Sequence, residues 1–214
     1  RKDFLREVSH VEGIYVPSLY NVEYNTDGSI SSFVPKYDDV PEKVKRQVVV
    51  DLDSAKFIDK PLVPFIKVTQ DRVVLEIMRG CIRGCRFCQA GVIYRPLREH
   101  SLEYLKDYAV KMLEITGAEE ISLSSLSSSD YSRIEELLEF LIDYTSRKKV
   151  NISLPSLRID AFSLDVMNKV QDVKKSSLTF AAEAGTQRLR DVINKGITEE
   201  DIMGAISSGY EDYI

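Results

Sequence analysis

The stretch Arg72-Val-Val-Leu-Glu-Ile-Met-Arg-Gly-Cys-Ile-Arg-Gly-Cys-Arg-Phe-Cys-Gln89 decides the fold. Residues 73–78 form an apolar-rich strand candidate that runs directly into a loop bearing Gly and Cys. The pattern downstream is regular. Ser101 can cap a helix carrying Leu102, Leu105, Ala109, Met112 and Leu113 on one face, and Gly117 ends it. Residues 120–124 read as a second strand, after which Asp130 or Ser132 opens a second helix with Ile134, Leu137, Leu138, Leu141 and Ile142. A third strand spans 151–154, and Ser163 caps a third helix with Leu164, Met167 and Val170. A fourth strand spans 177–182, followed by a helix with Leu189, Val192 and Ile193 that closes near Gly196. Thr198 with Asp201 starts one more helical turn.

This strand–helix alternation predicts an α/β fold with a parallel sheet and helices outside. Ligands in such sheets sit at the carboxyl ends of the strands. The Cys loop and residues 125–130, 156–160 and 183–186 all follow strand ends, so they should converge on one face. Four strands cannot close a barrel. The expected architecture is therefore an incomplete (βα) partial TIM-like barrel. The chain stops at Glu211-Asp-Tyr-Ile214, where a fifth strand would begin, so C-terminal units are expected to be missing.

Residues 1–70 read differently, as an extended arm or connector. Residues 14–16, 20–24 and 30–34 are short β-like runs, and Asn25-Thr-Asp-Gly28 is a turn signal that predicts a β-hairpin. Five of the seven prolines punctuate this segment. Residues 71–214 are the expected core. The 214 residues of the chain suffice for one core of α/β size, or for a core plus an extension. The 43% apolar and 29% charged fractions fit a soluble globular chain, and the net charge of −5 gives no global basic field for nucleic acid. No apolar run is long enough to cross a bilayer, and the N-terminus has no signal-peptide pattern. It also has no initiator Met, as expected of a processed chain or a fragment. The three Cys lie within eight residues of each other. An odd, clustered set points to metal binding in a reducing compartment, the cytoplasm.

Cys81, Cys85 and Cys88 are one thiolate short of full ligation for a cuboidal iron–sulfur cluster. A metal site with an incomplete shell keeps a position for substrate. Gly80 and Gly84 would let the backbone wrap an inorganic core. The other readings are three inert Cys, or a Cys₃His zinc site completed by His100 or His10, at spacings that fit zinc knuckles poorly.

Cys-x-x-x-Cys-x-aromatic-Cys, after a first strand and before a first helix, resembles the radical S-adenosylmethionine (SAM) superfamily signature, with Cys81, Cys85, Phe87 and Cys88 in register. The stretches 120–131, 153–160 and 179–196 are similar to a core shared by methylthiotransferases and elongator-type enzymes. The likeness is strongest to a subgroup that follows a cobalamin-binding domain. The resemblance implies a [4Fe–4S] cluster on Cys81, Cys85 and Cys88, with SAM on the open iron. It also implies reductive cleavage of SAM to a 5′-deoxyadenosyl radical that abstracts hydrogen from a substrate. It further implies a one-electron reductant of flavodoxin or ferredoxin type, and cobalamin-assisted methyl or alkyl transfer in a longer protein. Methylthio transfer to RNA, or a non-catalytic zinc or iron–sulfur module, are the alternatives.

Phe87, Ser125, Ser127, Ser156, Arg158, Glu183 and Lys195 are the candidate SAM contacts. Many relatives carry a Gly-Gly-Glu-like motif after the second strand, whereas this chain has hydroxyls there until Asp130. The loop reads equally as a capping segment for the second helix. By resemblance, Ser156 and Arg158 face the SAM ribose or carboxylate, or Arg158 pairs with Asp160. Glu183 ends an apolar run and needs a partner, either SAM or Arg188 or Arg190. Lys195 reaches the SAM carboxylate or complements a helix end. Arg79, Arg83, Arg86, Arg95 and Arg98 offset thiolate charge, hold an anion, or are solvated. His10-Val-Glu-Gly13 matches His-x-x-Gly of a cobalamin base-off motif. Val8 stands where its Asp belongs, so the match is read as coincidence and any cobalamin domain as lying upstream of Arg1.

Overall fold

The computed structural model describes residues 1–55, 57–66, 68–155, 157–159 and 180–211. The chain divides into two compact units, Arg1–Val50 and Asp51–Ile214.

The first unit contains the expected hairpin. Strands β1 (Tyr20–Tyr24) and β2 (Ile30–Pro35) pair antiparallel, with Val22 opposite Phe33. Gly28 takes φ 83°, and Asp27 accepts from the Ser29 amide at 2.9 Å, the local bond that makes Asp a turn residue. Residues 14–16 form no strand, because Pro17 with its fixed φ opens a 3₁₀ turn over Pro17–Leu19. A helix that sequence periodicity did not signal, α1 (Lys2–Ser9), precedes it. Val16, Leu19, Tyr20 and Val40 form a small core with Leu5 and Val44 against it.

The second unit begins at Asp51 and carries a mixed α/β fold. Strands β3 (Val73–Glu76), β6 (Glu120–Ser124) and β7 (Asn151–Ser153) form a parallel sheet in the order β3-β6-β7. Leu75 lies opposite Leu123, and Ile121 opposite Ile152. Their side chains turn to helices α3 (Leu102–Thr116) and α4 (Ile134–Ser146), where Leu105, Met112, Leu137 and Leu141 complete the core. Each large aliphatic side chain buried there contributes about 1.5–3 kcal/mol.

The ends of α3 are those expected. Ser101 accepts from the Tyr104 amide at 3.1 Å, and Gly117 takes φ 64° in the left-handed region. The start of α4 is not. Arg133 occupies the cap position without a side-chain cap. Asp130 is drawn to Arg83 instead, and the Ser132 amide donates to Glu99 at 3.0 Å.

The expected first strand is broken. After β3, residues Met78–Arg79 form β4, which pairs antiparallel with β5 (Arg98–Glu99). This pair closes the base of the Cys loop. The third helix and residues 177–179 of the fourth strand lie outside the described residues. Residues 180–182 join no sheet among those described. Two further helices follow, α5 (Gln187–Val192) and α6 (Glu199–Glu211). Thr198 and Asp201 cap each other's amides at 3.1 and 2.8 Å, the reciprocal box expected there. Helix α6 runs through Glu211, and residues 212–214, the rest of the stretch where a fifth strand was expected to begin, lie outside the described residues. The architecture is that of a partial TIM-like barrel, without closure among the described residues. Among those residues no helix is long and apolar enough to cross a membrane.

Candidate metal centre and cofactor-binding face

The Cys loop leaves β4 through Gly80, whose φ is 96°. A Cβ there would lie 2.8 Å from the Tyr94 carbonyl oxygen and 2.9 Å from that of Pro96, so only Gly fits. Gly84, between the first two Cys, has φ 66°. A short helix, α2 (Ala90–Ile93), follows Cys88. The three thiols are free and half-buried. Backbone amides point at two of the sulfurs, Arg83 N–H at Cys81 Sγ (3.5 Å) and Gly91 N–H at Cys88 Sγ (3.4 Å).

Soft donors on one Gly-shaped loop, with amides aimed at their sulfurs, suit an iron–sulfur cluster. Among the described residues no group of three or more His, Cys, Asp or Glu, the three cysteines included, stands arranged to hold a metal ion. His100 is buried, with Nδ1 on Asp53 Oδ1 at 2.7 Å and its ring stacked on Tyr104.

The five arginines around the loop each have a partner in the fold. Arg79 makes a bidentate pair with Glu76 at 2.6 and 2.9 Å, and Arg83 Nε donates to Asp130 at 2.8 Å. Arg86 reaches the Val192 carbonyl, Arg95 the Gly91 carbonyl and Arg98 the Tyr94 and Pro96 carbonyls. Burial pushes the Asp130 carboxyl up. The hydrogen bonds from Arg83 and Ser127 outweigh it and hold the group below the usual carboxylate range.

The serine loop is internally bonded. Ser125 Oγ accepts from the Ser127 amide at 3.1 Å and lies 2.9 Å from Ser128 Oγ. Ser127, 1% exposed, donates to Asp130 at 2.7 Å. Ser128 donates to the Pro155 carbonyl, and Ser129 accepts from the Arg158 amide at 3.1 Å. Arg158 is buried, and its guanidinium donates to the Lys195 carbonyl at 2.9 Å. Lys195 Nζ pairs with Glu183 at 3.1 Å. Glu183 therefore meets Lys195 rather than Arg190, which is buried on the carbonyls of Ala184 and Ile197. Phe87 is 54% exposed beside the cysteines. Ser156 and Asp160 lie outside the described residues.

These contacts form a ring. It runs from the Cys loop through Arg83 to Asp130, by way of Ser127 and Ser129 to Arg158, on to Lys195, and back to the loop. The return link is one that sequence reasoning missed. The Arg86 amide donates to the Ile193 carbonyl at 2.9 Å, and Asn194 Nδ2 donates to the Gly84 and Arg83 carbonyls at 3.0 and 3.4 Å. An available signal was Asn194 itself, an Asn before Lys-Gly at a helix end, where the left-handed conformation is common. Its φ is 55°.

The Cys loop is thus tied to polar groups of the loops that follow β6 and β7. Residues 75–208 match the radical SAM superfamily, and the chain belongs to it. An uncharacterized protein of Methanocaldococcus jannaschii is 35% identical over 206 residues, covering 93% of this chain and 42% of the relative. A second protein of that organism, named provisionally as a methylthiotransferase, is 24% identical over 143 residues, covering 63% of this chain and 31% of the relative. The chain thus spans less than half the length of either relative.

Proposed function

We propose that residues 71–214 are the SAM-cleaving core of a radical SAM enzyme, entered through the arm of residues 1–70. Cys81, Cys85 and Cys88 would hold a [4Fe–4S] cluster with one iron open to SAM. The observation that carries this reading is the loop itself, with three free thiols and amides aimed at two of their sulfurs. When bound, the cluster supplies one-electron reduction of the SAM sulfonium, which releases methionine and a 5′-deoxyadenosyl radical that abstracts hydrogen from substrate.

The chain's own residues bind and orient. The Glu183 carboxylate suits the SAM ammonium. The Lys195 ammonium and Arg158 guanidinium suit its carboxylate. Ser125 and Ser156 offer hydroxyls to the ribose, and Phe87 an exposed ring to the adenine. Ser127 serves from beneath, fixing Asp130 and the loop. In the full-length protein this core would work with a flavodoxin- or ferredoxin-type reductant in the cytoplasm, in cobalamin-assisted methyl or alkyl transfer.

Anaerobic reconstitution with iron and sulfide tests the reading. The expected product is brown, with broad absorption near ~400 nm, and releases 5′-deoxyadenosine with SAM and dithionite. Cys85→Ala should abolish the colour. A colourless wild-type protein carrying tight zinc would overturn the assignment. The similarity to a protein provisionally named a methylthiotransferase favours a second reading, methylthio transfer to RNA. It would require a second cluster, for which this chain has no cysteines beyond the three in the loop. Thiomethylated nucleosides in RNA from cells expressing the full-length protein would decide for it.

A further inference from the structure

The turn after α5 grips the Cys loop by its carbonyls. Asn194 Nδ2 donates to the carbonyls of Arg83 and Gly84, and the Ile193 carbonyl accepts from the Arg86 amide. The C=O and N–H of a trans peptide point in opposite directions. Holding the Arg83 and Gly84 carbonyls outward therefore turns the N–H groups of Gly84 and Cys85 away from Asn194. The Arg83 N–H is already directed at Cys81 Sγ. The Gly84 and Cys85 amides would then take an orientation set from outside the loop, next to the Arg83 amide on Cys81 Sγ, a run of amides that favours negative charge.

The grip has no evident local purpose for α5. That helix is closed by its own bonds, with the Ile193 amide on the Leu189 carbonyl and the Lys195 amide on the Arg190 carbonyl. The Asn194 backbone sits at φ 55°, in the left-handed region that Asn visits more readily than most residues. Its carboxamide is spent wholly on the segment between Cys81 and Cys85.

We infer that Asn194 is a positioning residue for the iron–sulfur loop, orienting the Gly84 and Cys85 amides toward the cluster and so raising its reduction potential. Amide hydrogen bonds to cluster sulfur stabilise the more negative, reduced state. The next residue, Lys195, carries the Glu183 pair and accepts from Arg158, so one turn links the cluster loop to the proposed SAM face. The inference rests on the reading of Cys81, Cys85 and Cys88 as cluster ligands.

Asn194→Gly is the sharpest probe. Gly tolerates φ 55° and removes both hydrogen bonds without adding charge. In the reconstituted full chain, the cluster's midpoint potential should fall in this variant, and iron retention against a chelator should drop about tenfold, as for other outer-shell losses. The melting curve should stay near that of wild type. Equal potential and equal iron retention in wild type and Asn194→Gly overturn the inference while leaving the cluster assignment intact. A wild-type chain that takes up no cluster overturns the assignment instead. Should the Gly variant not fold, Asn194→Asp is read by the same criterion at high salt, where its added charge is screened.

Discussion

Asp130 is where single-residue chemistry bears most on the site. Its carboxylate is nearly buried and is held by Arg83, from the Cys loop, and by Ser127. The folded-state pKa lies below the unfolded value of about 3.9. A carboxylate depressed in this way contributes stability that is present above about pH 4 and lost as pH falls through the lowered value. Asp130→Asn should therefore destabilise the protein at pH 7 by about 1.5–3 kcal/mol, the worth of hydrogen bonds to a charged group. The gap between wild type and variant in urea midpoint should narrow steadily below about pH 4. A gap independent of pH would show that folding does not shift the Asp130 pKa.

Among the elements, α3 was the most legible in sequence. Ser101, the five apolar positions and Gly117 each do in the structure what their spacing predicted. Ser101→Ala should cost about 1 kcal/mol, read from the urea midpoint. The β-hairpin, the parallel strands and the Thr198–Asp201 box were legible for the same reason, because local chemistry and local structure agree there. Other features depend on partners distant in sequence. Asp130 looked like a helix cap and is instead bound by Arg83, 47 positions earlier. Asn194 grips Gly84 across 110 positions. The arginines around the loop, read as offsets for thiolate charge, holders of an anion or solvated charges, meet carbonyls and carboxylates of the fold. No periodicity reports such pairings.

At the scale of the molecule, the core joins β3, β6 and β7 to α3 and α4, so loss of packing at one site is felt by all five. Leu141 is fully buried at the centre of α4's inner face. Leu141→Ala should lower stability by about 2–5 kcal/mol in chemical denaturation, with the spread set by how far the cavity collapses. A much smaller loss would mean that α4 packs more loosely than its burial indicates.

The two-residue ladder of β4 and β5 has a consequence of its own. By pairing Met78 with Glu99 and Arg79 with Arg98, it ties off the stretch 80–97 at its neck. A free chain of that length would lose conformational entropy each time its ends were brought together, on the order of (3/2)RT ln n plus a constant. Here contacts within the chain offset that loss, with Gly80 seated against Tyr94 and Pro96 and the Ile77 carbonyl accepting from the His100 amide. On the proposed reading, the cluster would be taken up by a loop whose neck is already tied, and its loading and loss should leave the surrounding sheet folded.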